Sequence, residues 1–458
     1  MSASLTERLA EAVDAGMPRA RDDLARLVAL RSVANAAIEP ASECRAAATL
    51  VGELFSEAGV DGIHAHPTPD GSLAVVGRSG GPSGAPRVLL YSHYDVVPVG
   101  DPGTWSSPPW ELTERGGRWY GRGSADCKGN LVASLLALRA VREVTGGWPV
   151  EVAVVCEGSE EQSSGGLEAL LRAEPELAQC DVVVIADTGN VEAGLPTLTT
   201  SLRGTGSVLM TVRTMERPAH SGMFGGAAPD ALQALLTALA SLRGPDGETT
   251  VDGLEHGGSW MGEPCDPNRF REDAALLPGV EPLTGNGALG DLLWARPAAT
   301  VLAIDAPPVA QVTAAVQGEA RAVVNLRVPA GTDAKAAQDL LIAHLRAHTP
   351  FGAQVEIRAV SLGQGFQART DGPAYAAMRR AMRTAFGRDA VTTGQGGSIP
   401  LATTFAELVP GAEIMLLGVE EPASRIHAPD ESVDPEELRR TALAQALFLV
   451  ELGGSTLA

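Results

Sequence analysis

Cysteine is scarce in this chain: five residues in 458, scattered and without a C-x-x-C pair. That argues against a disulfide framework and against a cysteine zinc site, and it fits a reducing compartment, the cytoplasm. No stretch approaches the roughly 20 apolar residues needed to span a bilayer. The first residues, MSASLTERLAEAVDAG, carry charges throughout and contain no apolar leader core. Positive charge is also in short supply, with 35 Lys and Arg against 56 Asp and Glu and a net charge of −21. Such a surplus of acid is repelled by phosphate backbones and anionic lipids, so neither nucleic acid nor a membrane is expected as a partner. Internal repeats and low-complexity tracts are missing too. What remains, 45% hydrophobic and 20% charged residues, describes a globular protein.

A chain of 458 residues exceeds one ordinary core, and two domains are expected. Apolar residues at helical spacing over 5–30 predict a helix broken, or split in two, at Gly16-Met17-Pro18. Apolar strands at 72–76, 87–93, 150–156 and 181–186 then alternate with helical patterns at 43–58, 131–144 and 166–173. That rhythm predicts an α/β domain with a mostly parallel sheet covered by helices. After about Thr200 the strands at 207–212, 320–328 and 354–360 alternate in polarity, with helices at 230–243 and 334–348. These predict a separate α+β unit with one sheet face covered. Residues 252–308, rich in Gly and Pro, read as an irregular insertion. The first pattern resumes at 374–386, 412–417 and 435–452. The expected arrangement is a discontinuous catalytic domain, 1–202 and 365–458, interrupted by a lid at 203–364.

Four segments place acids or imidazoles where strands end, the position at which open α/β sheets bind ligands. The strand at 87–93 delivers His93, with Asp95 two residues on. A neutral imidazole can bind a metal through one nitrogen while a carboxylate holds the other N–H; a structural histidine explains this pair equally well. Asp126 lies in the glycine-rich turn G-R-G-S-A-D-C-K-G entering a helix, where it suits a close-approaching ion or a helix N-cap. Cys156-Glu157-Gly158-Ser159-Glu160-Glu161 crowds three carboxylates at a strand end. They repel one another unless something positive lies between them, or unless the turn is simply solvated. Asp187 ends the apolar run Val184-Ile185-Ala186, as a ligand or as a turn residue. His427 sits in a late loop, Ser424-Arg425-Ile426-His427-Ala428-Pro429. Taken together, two imidazoles and at least three carboxylates suit a pair of borderline divalent ions such as Zn²⁺ or Mn²⁺.

The motifs H-x-D-V-V-P, G-R-G-x-x-D-x-K-G, E-G-x-E-E and H-A-P, in this order from about Arg87 to Ser432, are jointly specific. The chain resembles the co-catalytic metallopeptidase family of carnosine dipeptidases, carboxypeptidase G, aminoacylases and succinyl-diaminopimelate desuccinylase. The resemblance implies that Asp126 bridges two ions, that His93 and Asp187 complete one and that Glu161 and His427 complete the other. Those ions would be zinc, with manganese or cobalt as alternatives. It further implies that Asp95 orients His93 and that Glu160 is the general base. In the lid, His220 within A-H-S-G-M-F-G-G matches a histidine that reaches the partner subunit's site, which implies a homodimer. Arg327 within N-L-R-V-P matches a carboxylate-binding arginine, with an ordinary strand arginine as the other reading. The loop Gly396-Gly397-Ser398-Ile399-Pro400 matches that of the dipeptidase branch, where Gly397 and Ser398 can bind a substrate carboxylate.

The expected reaction is therefore hydrolysis of an amide in a small dipeptide, with N-acyl amino acid deacylation as the alternative on the same scaffold. A catalytically dead binding protein would have lost a ligand or Glu160, and none is lost. A phosphate-ester hydrolase would call for more cationic groups near the metals. Two departures alter the pocket: Cys127 stands where carnosinases have a second acid, and Gly394-Gln395 where they tend to have Arg-Glu.

Overall fold

The computed structural model describes residues 4–283, 287–397 and 399–454. The chain forms two compact units, one made of Met1–Thr200, Ala368–Thr393 and Pro400–Ala458, the other of Ser201–Gln367 and Gly394–Ile399. The first unit is thus discontinuous in sequence.

Its sheet runs in the order His64–Pro67, Leu73–Ser79, Glu151–Glu157, Arg87–His93, Val182–Ala186, Glu413–Leu417, Thr197–Leu202. The four central strands, from Glu151–Glu157 to Glu413–Leu417, are parallel. Antiparallel strands flank this centre, so the sheet as a whole is mixed. Every residue of Val182–Ala186 is buried, and so is every residue from Val88 to His93. Burial on both faces is what the apolar, β-branched runs require, and flanking helices supply it. The helices Leu5–Val28, Lys128–Thr145 and Pro435–Leu452 pack against one another.

The first of these corrects an expectation. Leu5–Val28 is one unbroken helix with Pro18 inside it. An internal proline costs about 3 kcal/mol through its lost hydrogen bond and ring clash. Leu9, Val13, Leu24, Leu27 and Val28 are all fully buried on this helix. At roughly 1.5–3 kcal/mol each, their burial outweighs that cost.

The second unit has a four-stranded antiparallel sheet in the order Ala298–Asp305, Glu319–Val328, Gly204–Arg213, Gln354–Gly363. Alternate residues of Glu319–Val328 are buried, and they join Val208, Met210, Val212, Leu235, Leu341 and Leu345 in one core. The helices Ala231–Ala240 and Ala334–Ala347 supply the last three of these leucines. The irregular insertion expected at 252–308 is only partly so. It contains the helix Pro267–Asp273 and the edge strand Ala298–Asp305. Six of that strand's eight residues are exposed, so no period-two pattern marks it.

Two close contacts in the first unit fix the loops at the carboxyl ends of its parallel strands. Gly418 follows the strand Glu413–Leu417, and a Cβ there would lie 1.8 Å from the Thr188 carbonyl oxygen and 2.6 Å from Asn130 Oδ1. Asn130 itself donates to Glu420 Oε1 (2.8 Å) and accepts the Val419 N–H (2.8 Å). The loop before Lys128 is held by Glu431. Its buried carboxylate accepts from Arg122 Nη1 (2.6 Å) and from the backbone N–H groups of Gly123 (2.9 Å), Ala125 and Asp126 (both 3.1 Å).

Gly418→Ala is expected to cost about 1–3 kcal/mol, because backbone rather than a flexible side chain must move; urea denaturation measures it. Glu431→Ala is expected to cost about 3–5 kcal/mol in the same assay, since it strands a buried guanidinium. A loss below 1 kcal/mol in the second case would show that the Arg122 charge is met elsewhere.

Candidate metal centre

The carboxyl ends of the four parallel strands lie along one edge, and each contributes a group. His93 is the last residue of its strand, Asp187 follows Val182–Ala186 directly, and Glu160 and Glu161 form a short turn just after Glu151–Glu157. Glu420, three residues beyond Glu413–Leu417, is the fourth. Asp126 enters from the Glu431-held loop, and its peptide bond to Cys127 is cis. His427 comes from a late loop in the left-handed region, with φ 60°.

Asp126 lies between the two imidazoles. Its Oδ1 is 3.2 Å from His93 Nε2, and its Oδ2 is 2.9 Å from His427 Nε2. Asp187 Oδ1 is 3.1 Å from His93 Nε2, while Glu161 Oε2 is 3.2 Å from His427 Nε2. Asp95 ties the group together. Its two carboxylate oxygens accept the backbone N–H groups of Glu160 and Glu161 (3.1 Å each), and its backbone carbonyl accepts from His93 Nδ1 (3.0 Å). A further carboxylate, Asp70, accepts from the hydroxyls of Ser159 (2.7 Å) and Ser164, clamping the same turn from its far side.

The hydrogen bonding of His93 shows what the centre lacks. Only oxygen acceptors face Nδ1, so Nδ1 carries the proton of the neutral ring. In the neutral ring Nε2 is then a lone pair opposed to two carboxylate oxygens, so a positive charge belongs between them, a metal ion or the proton that Asp187 and Asp126 favour on this ring against the cost of burial. The electrostatics agree. Burial, with Asp187, Glu161 and Asp95 nearby, pushes Glu160 up to about 9. Burial, with Asp126 and Glu161, pushes Asp187 up to about 6. Burial and the charges of Asp126 and Asp187 raise Glu420 well above its usual range. Burial opposes charge on Asp126 too, but His427 and His93 hold its carboxyl low. Hydrogen bonds to Asp126 and Glu161 lift His427 to about 10. Glu161 Oε1 is moreover buried without a hydrogen-bond partner.

The donor set therefore fits divalent cations. Around a tetrahedral ion with bonds of 2.0–2.2 Å, donor atoms sit about 3.3 Å apart, close to the separations measured here. Cys127 is near, but its thiol donates to the Ala186 carbonyl (2.9 Å) and burial keeps it protonated. Glu157, the first of the three crowded acids, turns away to accept from the Tyr91 hydroxyl (2.7 Å).

Sequence reasoning missed Glu420, Glu431 and Asn130. Glu420 had a usable signal, since it follows an apolar strand as Asp187 does. Glu431 and Asn130 act only through tertiary contacts.

The remaining candidates belong to the second unit. His220 is exposed, and its Nδ1 accepts the Gly222 N–H (3.1 Å). Arg327 is half-buried, with Nη1 buried and without a hydrogen-bond partner. Burial lowers the pKa of this guanidinium. Gly397 is exposed, and Ser398 lies outside the described residues.

Comparison with known proteins places this geometry. A cysteinylglycine-S-conjugate dipeptidase of Corynebacterium striatum is 44% identical over 410 residues, covering 89% of this chain and 90% of that one. A Beta-Ala-His dipeptidase of Rattus norvegicus is 28% identical, covering 95% and 89%. Human carnosine dipeptidase 1 shares the fold, with a TM-score of 0.79 at 22% identity over 99% of this chain and all of that one. The dipeptidase Dug1p of Saccharomyces cerevisiae does so with a TM-score of 0.80 at 21% identity, covering 98% and 99%. The sequence model of peptidase family M20/M25/M40 matches residues 89–451. A donor set for divalent cations at the carboxyl edge of a parallel sheet, carried on that matched span, makes this chain a member of peptidase family M20/M25/M40.

Proposed function

We propose that this chain is a dinuclear metallodipeptidase that hydrolyses the amide bond of small dipeptides with a free carboxyl terminus. One observation carries the reading: the two oxygens of Asp126 face two different imidazoles, each with its own second carboxylate. On that reading His93 and Asp187 hold one ion, Glu161 and His427 the other, and Asp126 both. Zinc suits these ligands, and manganese or cobalt would be accepted. Bound there, such ions lower the pKa of water and polarise a carbonyl oxygen.

The chain's own residues do the rest. Glu160, whose backbone Asp95 anchors, takes a proton from water as the oxygen bonds to the amide carbon. When the C–N bond breaks, the same carboxyl returns the proton to the departing amine. Asp95 positions both acids of the turn and sets the His93 tautomer. In the second unit, the unpartnered Arg327 Nη1 suits a substrate carboxylate, with Gly397 and Ser398 offering backbone and hydroxyl donors. Sequence likeness to proteins named as dipeptidases supports this reading, and cysteinylglycine S-conjugates are the first substrates to try.

The second unit serves as lid and dimerisation domain, with His220 completing the partner's site. Its edge strand exposes Val301, Leu302 and Ile304, an apolar row that a second copy can cover. A cytoplasmic location belongs to the same reading and is supported by the five cysteines, all free thiols. Among the described residues no helix is long and apolar enough to cross a membrane.

Metal-stripped protein, reloaded with Zn²⁺ or Mn²⁺, should release free amino acids from cysteinylglycine conjugates and other dipeptides. Cleavage confined to N-acetyl amino acids would overturn the dipeptidase reading. Glu160→Gln should keep its metal content yet lose turnover by a factor on the order of 10²–10⁴. Near-normal turnover in that variant would remove Glu160 from the base role.

A further inference from the structure

The second unit contains another cluster of metal-binding side chains, sharing no residue with the centre above. Helix Ala334–Ala347 carries His344 in its last turn and is capped by His348. The two are four residues apart, hence on one face, and their ring centroids are 4.1 Å apart. Asp252 meets them from a separate segment. Its Oδ2 lies 3.2 Å from His344 Nδ1 and 2.8 Å from His348 Nε2. One donor atom from each of the three residues lies within 4.8 Å of the others.

The protonation of His344 can be worked out from its neighbours. Ser241 Oγ donates its own hydrogen to the Ala238 carbonyl (2.7 Å). Towards His344 Nε2, 2.9 Å away, that hydroxyl must therefore accept, and the ring must donate. The neutral ring thus carries its proton on Nε2 and a lone pair on Nδ1. That lone pair receives the Asp252 backbone N–H (3.0 Å), yet it also confronts the Asp252 carboxylate. A lone pair against a carboxylate oxygen is repulsive unless a positive charge lies between. A cation is well placed, since the negative end of the helix dipole points at the site.

Geometry and support match such an ion. The two measured donor separations lie near the roughly 3.3 Å edge of a tetrahedral site with bonds of 2.0–2.2 Å. The Ser241 hydroxyl, accepting from the far nitrogen of His344, fixes the ring for ligation through Nδ1. Asp252 and His348 are exposed, which gives an ion a way in and leaves room for water as further ligands. Occupancy requires the Asp252 N–H to release Nδ1 and turn to solvent, which its exposed position permits.

We propose that His344 Nδ1, His348 Nε2 and Asp252 Oδ2 bind one borderline divalent cation of the zinc class. The ion clips the segment around Asp252 to the end of helix Ala334–Ala347. Its role is structural, and it takes no part in amide hydrolysis.

The test counts metal. Wild type, His348→Ala and Asp252→Asn are stripped with chelator, equilibrated against buffered Zn²⁺, and measured by atomic emission per chain. Each variant should hold one ion fewer than wild type while its turnover stays the same. Because the readout is a difference between chains, it stands whether or not the dipeptidase reading holds. In the wild type, Zn²⁺ should also shift the ring NMR signals of both His344 and His348. Equal metal counts in all three proteins, or ring signals unmoved by Zn²⁺, would overturn the proposal and leave a plain Asp252–His348 ion pair.

Discussion

Like charges crowded at one edge of a sheet are the constraint around which the first unit is built. Asp126, Asp187, Glu161 and Glu420 converge on two imidazoles in a largely buried space. Burial strengthens their mutual repulsion, since little water remains to screen it. Such a cluster survives in a folded protein only if the chain around it is rigid. Here the rigidity comes from Glu431, which gathers three backbone N–H groups and a guanidinium, and from Asp95 and Asp70, which hold the Glu160–Glu161 turn on two sides. The scaffold has strain to contain before any ion arrives, and an ion relieves it.

Much of this was legible in the sequence because parallel strands write themselves as apolar runs. The runs ending in His93, Cys156 and Ala186 mark three of the four strand ends, and the acids just beyond them stand out. Glu420 follows the same rule but sits three residues past its strand, beyond the window in which a terminal acid attracts notice. Glu431 and Asn130 left no trace, since a buried side chain that ties loops hundreds of residues apart has no local pattern. The proline at position 18 misled for a related reason. Local propensity reports its cost, while the buried leucines and valines that outweigh it belong to packing with Lys128–Thr145. The edge strand Ala298–Asp305 was hidden because exposed edge residues need not alternate.

The second unit obeys a different grammar. Its sheet is antiparallel and buries alternate residues of Glu319–Val328 under two helices, so that strand was readable by period two rather than by continuous apolarity. Its polar features are correspondingly more open to water. Arg327 keeps an unsatisfied nitrogen although half-buried, which is costly for a purely structural residue. His220 and Gly397 are exposed. Exposed groups such as His220 stand outward here, whereas the acids and imidazoles of the first unit are drawn together.

The two imidazoles of the metal centre are not equivalents. His93 closes a buried strand and is wholly enclosed, while 53% of the His427 side chain is open to solvent, on a loop in left-handed backbone. A ligand locked in a sheet releases its ion slowly, because the sheet must open first. One on an exposed loop can let go by a local swing. On the proposed two-ion reading, His93 lies on a retentive side and His427 on an exchangeable one. On that same reading, whichever ion is abundant in the surroundings sets the occupant at His427, while the ion at His93 is the one acquired when the chain folded.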